Sequence, residues 1–144
     1  FPHKEKIKQK ILDLNKYGFR FILIEKSDFL AQHVRETDFS IISNGRTVFE
    51  FACMGVPILA VSVNSREKSH NFVKDEKIGL QFAFNDKTFE DQLIYGINHM
   101  LVYGNRKYYK NKLLQLDLLS GVDRVVDIIN KEYQRLKSEK ITRD

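Results

Sequence analysis

Two short polar stretches hold the residues of this chain that could do chemistry. The first, Ser43-Asn44-Gly45-Arg46-Thr47-x-x-Glu50, follows the apolar run Phe39, Ile41, Ile42. The second, Asn64-Ser65-Arg66, follows Ile58 to Val63. A strand that ends in a small polar turn and passes into a helix leaves backbone N–H groups without acceptors beside a positive dipole end, which suits an anion such as a diphosphate. Thr47 and Glu50 admit two readings. Thr-x-x-Glu is a capping box, in which both side chains satisfy backbone N–H groups; alternatively, the Glu50 carboxylate accepts from a pair of ribose hydroxyls. The turn is neither G-x-G-x-x-G nor G-x-x-x-x-G-K-[ST], so the dinucleotide fingerprint and the P-loop both fail. His70 is the histidine near these stretches. It could donate to a phosphate or a sugar hydroxyl, or it could face solvent on a polar helix. His3, His33 and His99 have no partner in sequence, and no His/Asp/Glu cluster has metal-ligand spacing. The reading therefore calls for no metal and no cofactor.

The flanking pattern must position these loops. Lys4 to Tyr17 carries an apolar residue about once per helical turn and stops at Gly18, and the aromatic and β-branched run Phe19 to Ile24 reads as a buried strand. Ser27 or Asp28 can cap a short helix through Glu36. Asp38 to Ser43 is a second strand of the buried kind. A helix from Arg46 to Met54 follows, ended by Gly55 and Pro57, then a third strand, Ile58 to Val63. Arg66 to Lys77 is polar with Phe72 and Val73 as a minimal apolar face, stopping at Gly79, and Leu80 to Phe84 is a fourth strand. From Lys87 onward the pattern is helical: one helix carries Phe89, Leu93, Ile97, Met100 and Leu101, another spans Tyr108 to Leu119, and a last one spans Val122 to Leu136. Strands alternating with helices predict an α/β fold, a Rossmann-like parallel sheet with helices on both faces and a helical C-terminal tail. In such sheets ligands bind at the carboxyl ends of the strands, where both polar stretches fall.

Composition narrows the partners. The 144 residues fit a single domain, residues 1–144, and 42% hydrophobic content can fill a core. A net charge of +5 favours an acidic partner, although the basic residues are dispersed among 19 acids, as on a solvated mixed surface. One cysteine, Cys53, excludes an internal disulfide framework. No run is long and apolar enough for a membrane span and no signal peptide opens the chain, so the expected location is the cytoplasm. The chain begins at Phe1, inside a charged helical segment, and reads as a piece excised from a longer protein. In the tail, Arg106, Lys107, Tyr108, Tyr109, Lys110 and Lys112 interleave base and aromatic. A helix with packed tyrosines and solvated lysines explains them better than a nucleic-acid site.

The combined spacing Ser43-x-Gly45-x-Thr47-x-x-Glu50, Gly55-Val56-Pro57 and Asn64-Ser65-Arg66-Glu67-Lys68-Ser69-His70 resembles the C-terminal half of nucleotide-sugar enzymes with the GT-B fold. It is most similar to the UDP-sugar hydrolases of pseudaminic acid biosynthesis and the related spore-coat polysaccharide proteins, and more distantly to the lipid-II-forming N-acetylglucosaminyltransferase. The segment Phe29 to Asp38 and the closing Gly121-Val122-Asp123-Arg124 helix extend the likeness to about two-thirds of the chain.

The resemblance implies that this part holds a nucleotide sugar, with a UDP-sugar foremost. Ser43, Asn44, Gly45 and Thr47 would meet phosphate, Glu50 the ribose, and Asn64, Arg66, Glu67 and His70 would form the second loop. It implies a hydrolase before a glycosyltransferase in surface polysaccharide or nonulosonic acid biosynthesis. The catalytic base of that family lies in the N-terminal domain, which this chain lacks, so no catalytic residue is assigned and the piece alone is expected to bind without turnover. Glu67 stands where the family usually has Gln, and a carboxylate there must face away from a diphosphate or pair with Arg66 or Lys68. Asn44 replaces a small residue of the turn and tolerates the left-handed conformation. The alternative function is a non-catalytic Rossmann-like module for nucleic acid or a protein partner.

Overall fold

The computed structural model describes residues 3–18, 20–24 and 29–141. They divide into two compact units, Phe1–Gln32 and His33–Asp144.

In the first unit, α1 (Lys4–Asn15) buries none of its residues, and its chain turns at Gly18 with φ of +85°. Residues 20–24 form no strand, which corrects the expectation for Phe19 to Ile24; Phe19 itself lies outside the described residues. The physical reason is pairing. An apolar run becomes a strand only when a neighbouring backbone supplies a ladder, and here the polar groups of Phe21 meet a side chain. Asn15 Oδ1 accepts the Phe21 N–H at 2.7 Å, and Asn15 Nδ2 donates to the Phe21 carbonyl at 3.3 Å. Phe21, Ile22, Leu23 and Ile24 are all exposed. The proposed caps Ser27 and Asp28 also lie outside the described residues, ahead of α2 (Leu30–Arg35).

The second unit contains the sheet. Strands β1 (Ser40–Ser43), β2 (Ile58–Ser62) and β3 (Gly79–Ala83) run parallel in the order β1-β2-β3, with Ser40 opposite Ile58 and Ile58 opposite Gly79. β2 is central and apolar on both faces, because alternate residues enter different cores. Ile58 and Ala60 pack with Val48, Phe51 and Ala52 of α3 (Thr47–Cys53), with Val73 of α5 (Phe72–Asp75), and with Val34. Between β2 and α5 lies the single turn α4 (Ser65–Lys68). On the opposite face Leu59 joins Phe82 of β3, Met100 of α6 (Phe89–Leu101) and Tyr109 of α7 (Tyr103–Gln115). Helices therefore cover both faces, as the alternation predicts.

β1 is less buried than its composition suggests. Ile41, opposite Leu59, is 48% exposed, because β1 is an edge of this sheet.

Turn chemistry accounts for most of the boundaries. α3 closes in a Schellman motif: Val56 N–H donates to Phe51 O, Gly55 N–H donates to Ala52 O, and Gly55 takes φ of +70°, as the Gly-Val-Pro signal requires. The polar segment after β2 is not one helix that Gly79 stops. It breaks into α4 and α5, and the left-handed turn falls on Lys77 (φ 53°). Gly79 instead opens β3, where a Cβ would lie 1.9 Å from the Ile58 carbonyl oxygen. α7 begins at Tyr103, earlier than expected, because Arg106 Nη1 donates to the carbonyls of Met100 and Leu101 and braces the elbow between the two helices. The tail α8 (Gly121–Ile141) forms as a long helix with an exposed apolar stripe that includes Val122, Ile129 and Leu136. Among the described residues no helix is long and apolar enough to cross a membrane.

Candidate functional site

The two polar stretches meet at Asn44, directly after β1. Its N–H donates to Val61 O at 3.0 Å, which carries the parallel ladder one step past Ser43. The side chain is buried, and Nδ2 donates to Glu67 O at 2.8 Å and His70 O at 2.7 Å, with Ser62 Oγ at 3.2 Å. Two backbone carbonyls can only accept, so they fix which end of the amide is nitrogen. The Asn44 carbonyl in turn receives a hydrogen bond from His70 Nδ1 at 2.9 Å. That nitrogen must carry the proton, which leaves Nε2 of the neutral ring as an acceptor. Asn44 is not left-handed: among the described non-glycine residues only Lys77 has a positive φ. Its role in the turn rests on hydrogen bonding across to the second loop.

That second loop is held by its own caps. Asn64 Oδ1 accepts the Glu67 N–H at 2.9 Å, and Glu67 Oε2 accepts the Val63 N–H at 2.9 Å. This is the reciprocal logic of a capping box, formed one residue early on the return side. Thr47 and Glu50 form no such box. Arg46 is the N-cap of α3 with helical dihedrals and no side-chain cap, and Thr47 is already the first helical residue. Glu50 lies within the first turn of α3, exposed, and has no side-chain partner among the described residues. The Glu67 carboxylate is directed at Val63 and not at Arg66 or Lys68, and no described cation lies within 4.0 Å of it. It stays close to the first turn, since a Cβ at Gly45 would lie 3.9 Å from Oε1 and 3.7 Å from Ser43 Oγ.

These bonds hold open two hollows that share Gly45, Arg46 and His70. One, of about 230 Å³, is polar and is completed by Asn64, Arg66 and Glu67. The other, of about 260 Å³, is largely apolar, and Phe49 and Phe72 stand in its wall with ring centroids 4.7 Å apart. Among the described residues the N–H groups of Gly45, Arg46 and Thr47 have no acceptor, and the Arg46 and Arg66 guanidiniums have no carboxylate within 4.0 Å. The edge thus offers donors and positive charge in one hollow and an aromatic wall beside it. Ser43 and Thr47 lie on the turn, and Ser43, Thr47 and Glu50 line neither hollow. No three His, Cys, Asp or Glu side chains among the described residues gather as metal ligands.

Three residues at this edge escape sequence reasoning. Ser62 is 1% exposed and donates to Glu67 O at 3.3 Å, and its signal was a small polar residue at the end of an otherwise apolar strand. Phe72 reads as part of a minimal apolar face, and Phe49 carries no signal of its own; nothing local brings one helix beside the other.

The fold and this edge define a Rossmann-like α/β protein with a polar edge at the carboxyl ends of its strands. Over 101 residues, 69% of this chain, it is 24% identical to the spore coat polysaccharide biosynthesis protein SpsG of Bacillus subtilis (strain 168). The match spans 29% of that protein's length. No protein-family model matches the chain, and no solved structure matches it.

Proposed function

We propose that this chain is the nucleotide-sugar-holding part of a GT-B enzyme of polysaccharide biosynthesis, with a UDP-sugar as ligand and an N-terminal domain of the same protein as its partner. The observation that carries the reading is the paired hollow at the carboxyl edge. A nucleoside diphosphate sugar is anionic at its centre and aromatic at one end. The polar hollow with Arg46, Arg66 and the N–H groups of Gly45 and Arg46 suits the diphosphate, and the Phe49–Phe72 wall suits a base. The likeness to a spore-coat polysaccharide protein supports the same class.

The residues divide into two groups. Asn44, Ser62, Asn64 and Glu67 position the loops through the hydrogen bonds described above. Gly45, Arg46, Thr47, Arg66 and the free Nε2 of His70 meet the ligand, and Ser43 and Glu50 lie beside them to reach the phosphate and ribose hydroxyls. The reaction is cleavage of the anomeric C–O bond. A water oxygen, deprotonated by a base on the other domain, bonds to C1, and the diphosphate leaves with the electron pair. Donors already aimed at the leaving oxygens lower the barrier, because they need no reorganisation as charge develops. Hydrolysis is preferred to transfer to a sugar acceptor.

Titration with UDP, CMP and a short oligonucleotide, followed by backbone amide shifts, tests the proposal. UDP should move Gly45, Thr47 and Glu50 at saturable concentrations. If UDP leaves them unmoved while the oligonucleotide shifts the surface, the reading gives way to a nucleic-acid module. Glu50→Gln separates the ribose contact from a purely helical role: weaker UDP binding with unchanged thermal unfolding supports the contact, and unchanged affinity removes Glu50 from the site.

A further inference from the structure

The amino ends of β1 and β2 enclose a hollow that the reading above does not use. It has a volume of about 190 Å³ and is lined by Arg35, Asp38, Arg106, Lys107 and Lys110 beside the Met54–Pro57 turn. β2 is five residues long, so this hollow lies about 16 Å from the carboxyl-edge loops at about 3.3 Å per residue.

Its charge is one-sided. Arg106 Nε lies 3.9 Å from Asp38, whose side chain is 83% exposed, and this is the one acid facing the four cations. Arg35, Lys107 and Lys110 have no carboxylate within 4.0 Å among the described residues. Lys107 and Lys110 are three apart on α7 and share one side of it, where like charges repel. Arg106 is pre-positioned: Nη1 donates to Met100 O at 2.7 Å and Leu101 O at 2.9 Å, and the guanidinium carbon stands 5.9 Å from the Tyr103 ring centroid. An immobilised guanidinium with uncompensated ammonium groups around it is the arrangement that binds a small multiply charged anion, which relieves their mutual repulsion.

We propose that this amino-edge hollow binds a phosphate-bearing small molecule, either free phosphate or the phosphate of a sugar phosphate. Size decides against a polymer. The cations converge on one compartment instead of forming a track, and Arg46 and Arg66 lie at the opposite edge. The site is separate from the carboxyl-edge reading and stands or falls without it.

Amide shifts of the 144-residue chain are to be followed during titration with inorganic phosphate, glucose 1-phosphate and oligothymidylate, each against sodium chloride at equal ionic strength. Both phosphates should move Thr37, Gly55, Lys107 and Lys110 saturably. Tighter binding of glucose 1-phosphate identifies the sugar phosphate as the source, and equal binding identifies free phosphate. The Lys107→Gln/Lys110→Gln double variant should weaken binding about tenfold, as loss of two charged contacts does, and Arg46→Gln/Arg66→Gln should leave these shifts in place. Shifts reproduced by sodium chloride overturn the proposal. So do shifts produced by oligothymidylate and not by phosphate, or an unchanged affinity in the double variant.

Discussion

The two edges of the sheet handle polar groups in opposite ways. At the carboxyl edge the polar side chains are consumed by backbone: Asn44 spans two carbonyls and receives His70, and Asn64 and Glu67 close the second loop on itself. At the amino edge charge collects with little to hold it, and apart from Arg106 the cations project from helices into solvent. The first edge is therefore stiff at its centre, because a displaced Asn44 side chain leaves the part-buried carbonyls of Glu67 and His70 without a donor. The second edge depends on charge density alone, which salt screens.

The difference predicts where substitutions are felt. Asn44→Leu keeps the volume but removes the donor from Glu67 O and His70 O, and should cost about 3 kcal/mol in urea unfolding with an unchanged m-value. A loss under about 1 kcal/mol would mean that the carboxyl edge is not built as described.

Next in size is Glu67→Gln. The amide oxygen still accepts the Val63 N–H, so stability should fall by less than about 1 kcal/mol. Removing the carboxylate beside Gly45 should at the same time tighten UDP binding several-fold, read by calorimetry. Weaker binding would show that the carboxylate serves the ligand directly.

At the amino edge, Lys107→Gln/Lys110→Gln should change unfolding free energy by at most about 0.5 kcal/mol, since neither ammonium has a carboxylate within 4.0 Å among the described residues. A larger loss would make the two edges alike.

The smallest effect is local and acidic. Ser120 Oγ donates to Asp117 at 2.7 Å, and Arg124 lies 2.9 Å away. These hold the carboxyl below its ordinary value, with the Ser120 bond as the main cause. A lowered folded-state pKa means that the contribution is present above the unfolded pKa and lost as pH falls through the folded one. Amide shifts at Ser120 and Arg124 should therefore move together below about pH 4.

Much of this architecture was legible in the residues. Asp38 to Ser43 and Ile58 to Val63 are apolar runs bounded by turn residues, and Gly55-Val56-Pro57 marks a helix stop. β2 is apolar on both faces, as a central strand of a parallel sheet is. The errors share one cause. Phe19 to Ile24 had the composition of a strand and no pairing partner, and Thr47-x-x-Glu50 had the spacing of a capping box while the reciprocal bonds formed at Asn64 and Glu67. Spacing lists the bonds a segment can make. Which bonds form depends on which backbone groups other segments leave open.

Periodicity and turn chemistry act over a few residues, and so the residue pattern alone carried the alternation of strand and helix, the parallel pairing and two polar loops at the carboxyl edge. Packing in three dimensions makes Asn44 fasten those loops together, brings Phe49 to Phe72, and joins Arg35 from one helix to Lys107 and Lys110 from another. These are meetings between segments far apart in the chain. Their geometry is set by how the helices pack on β2, which local residue types do not encode.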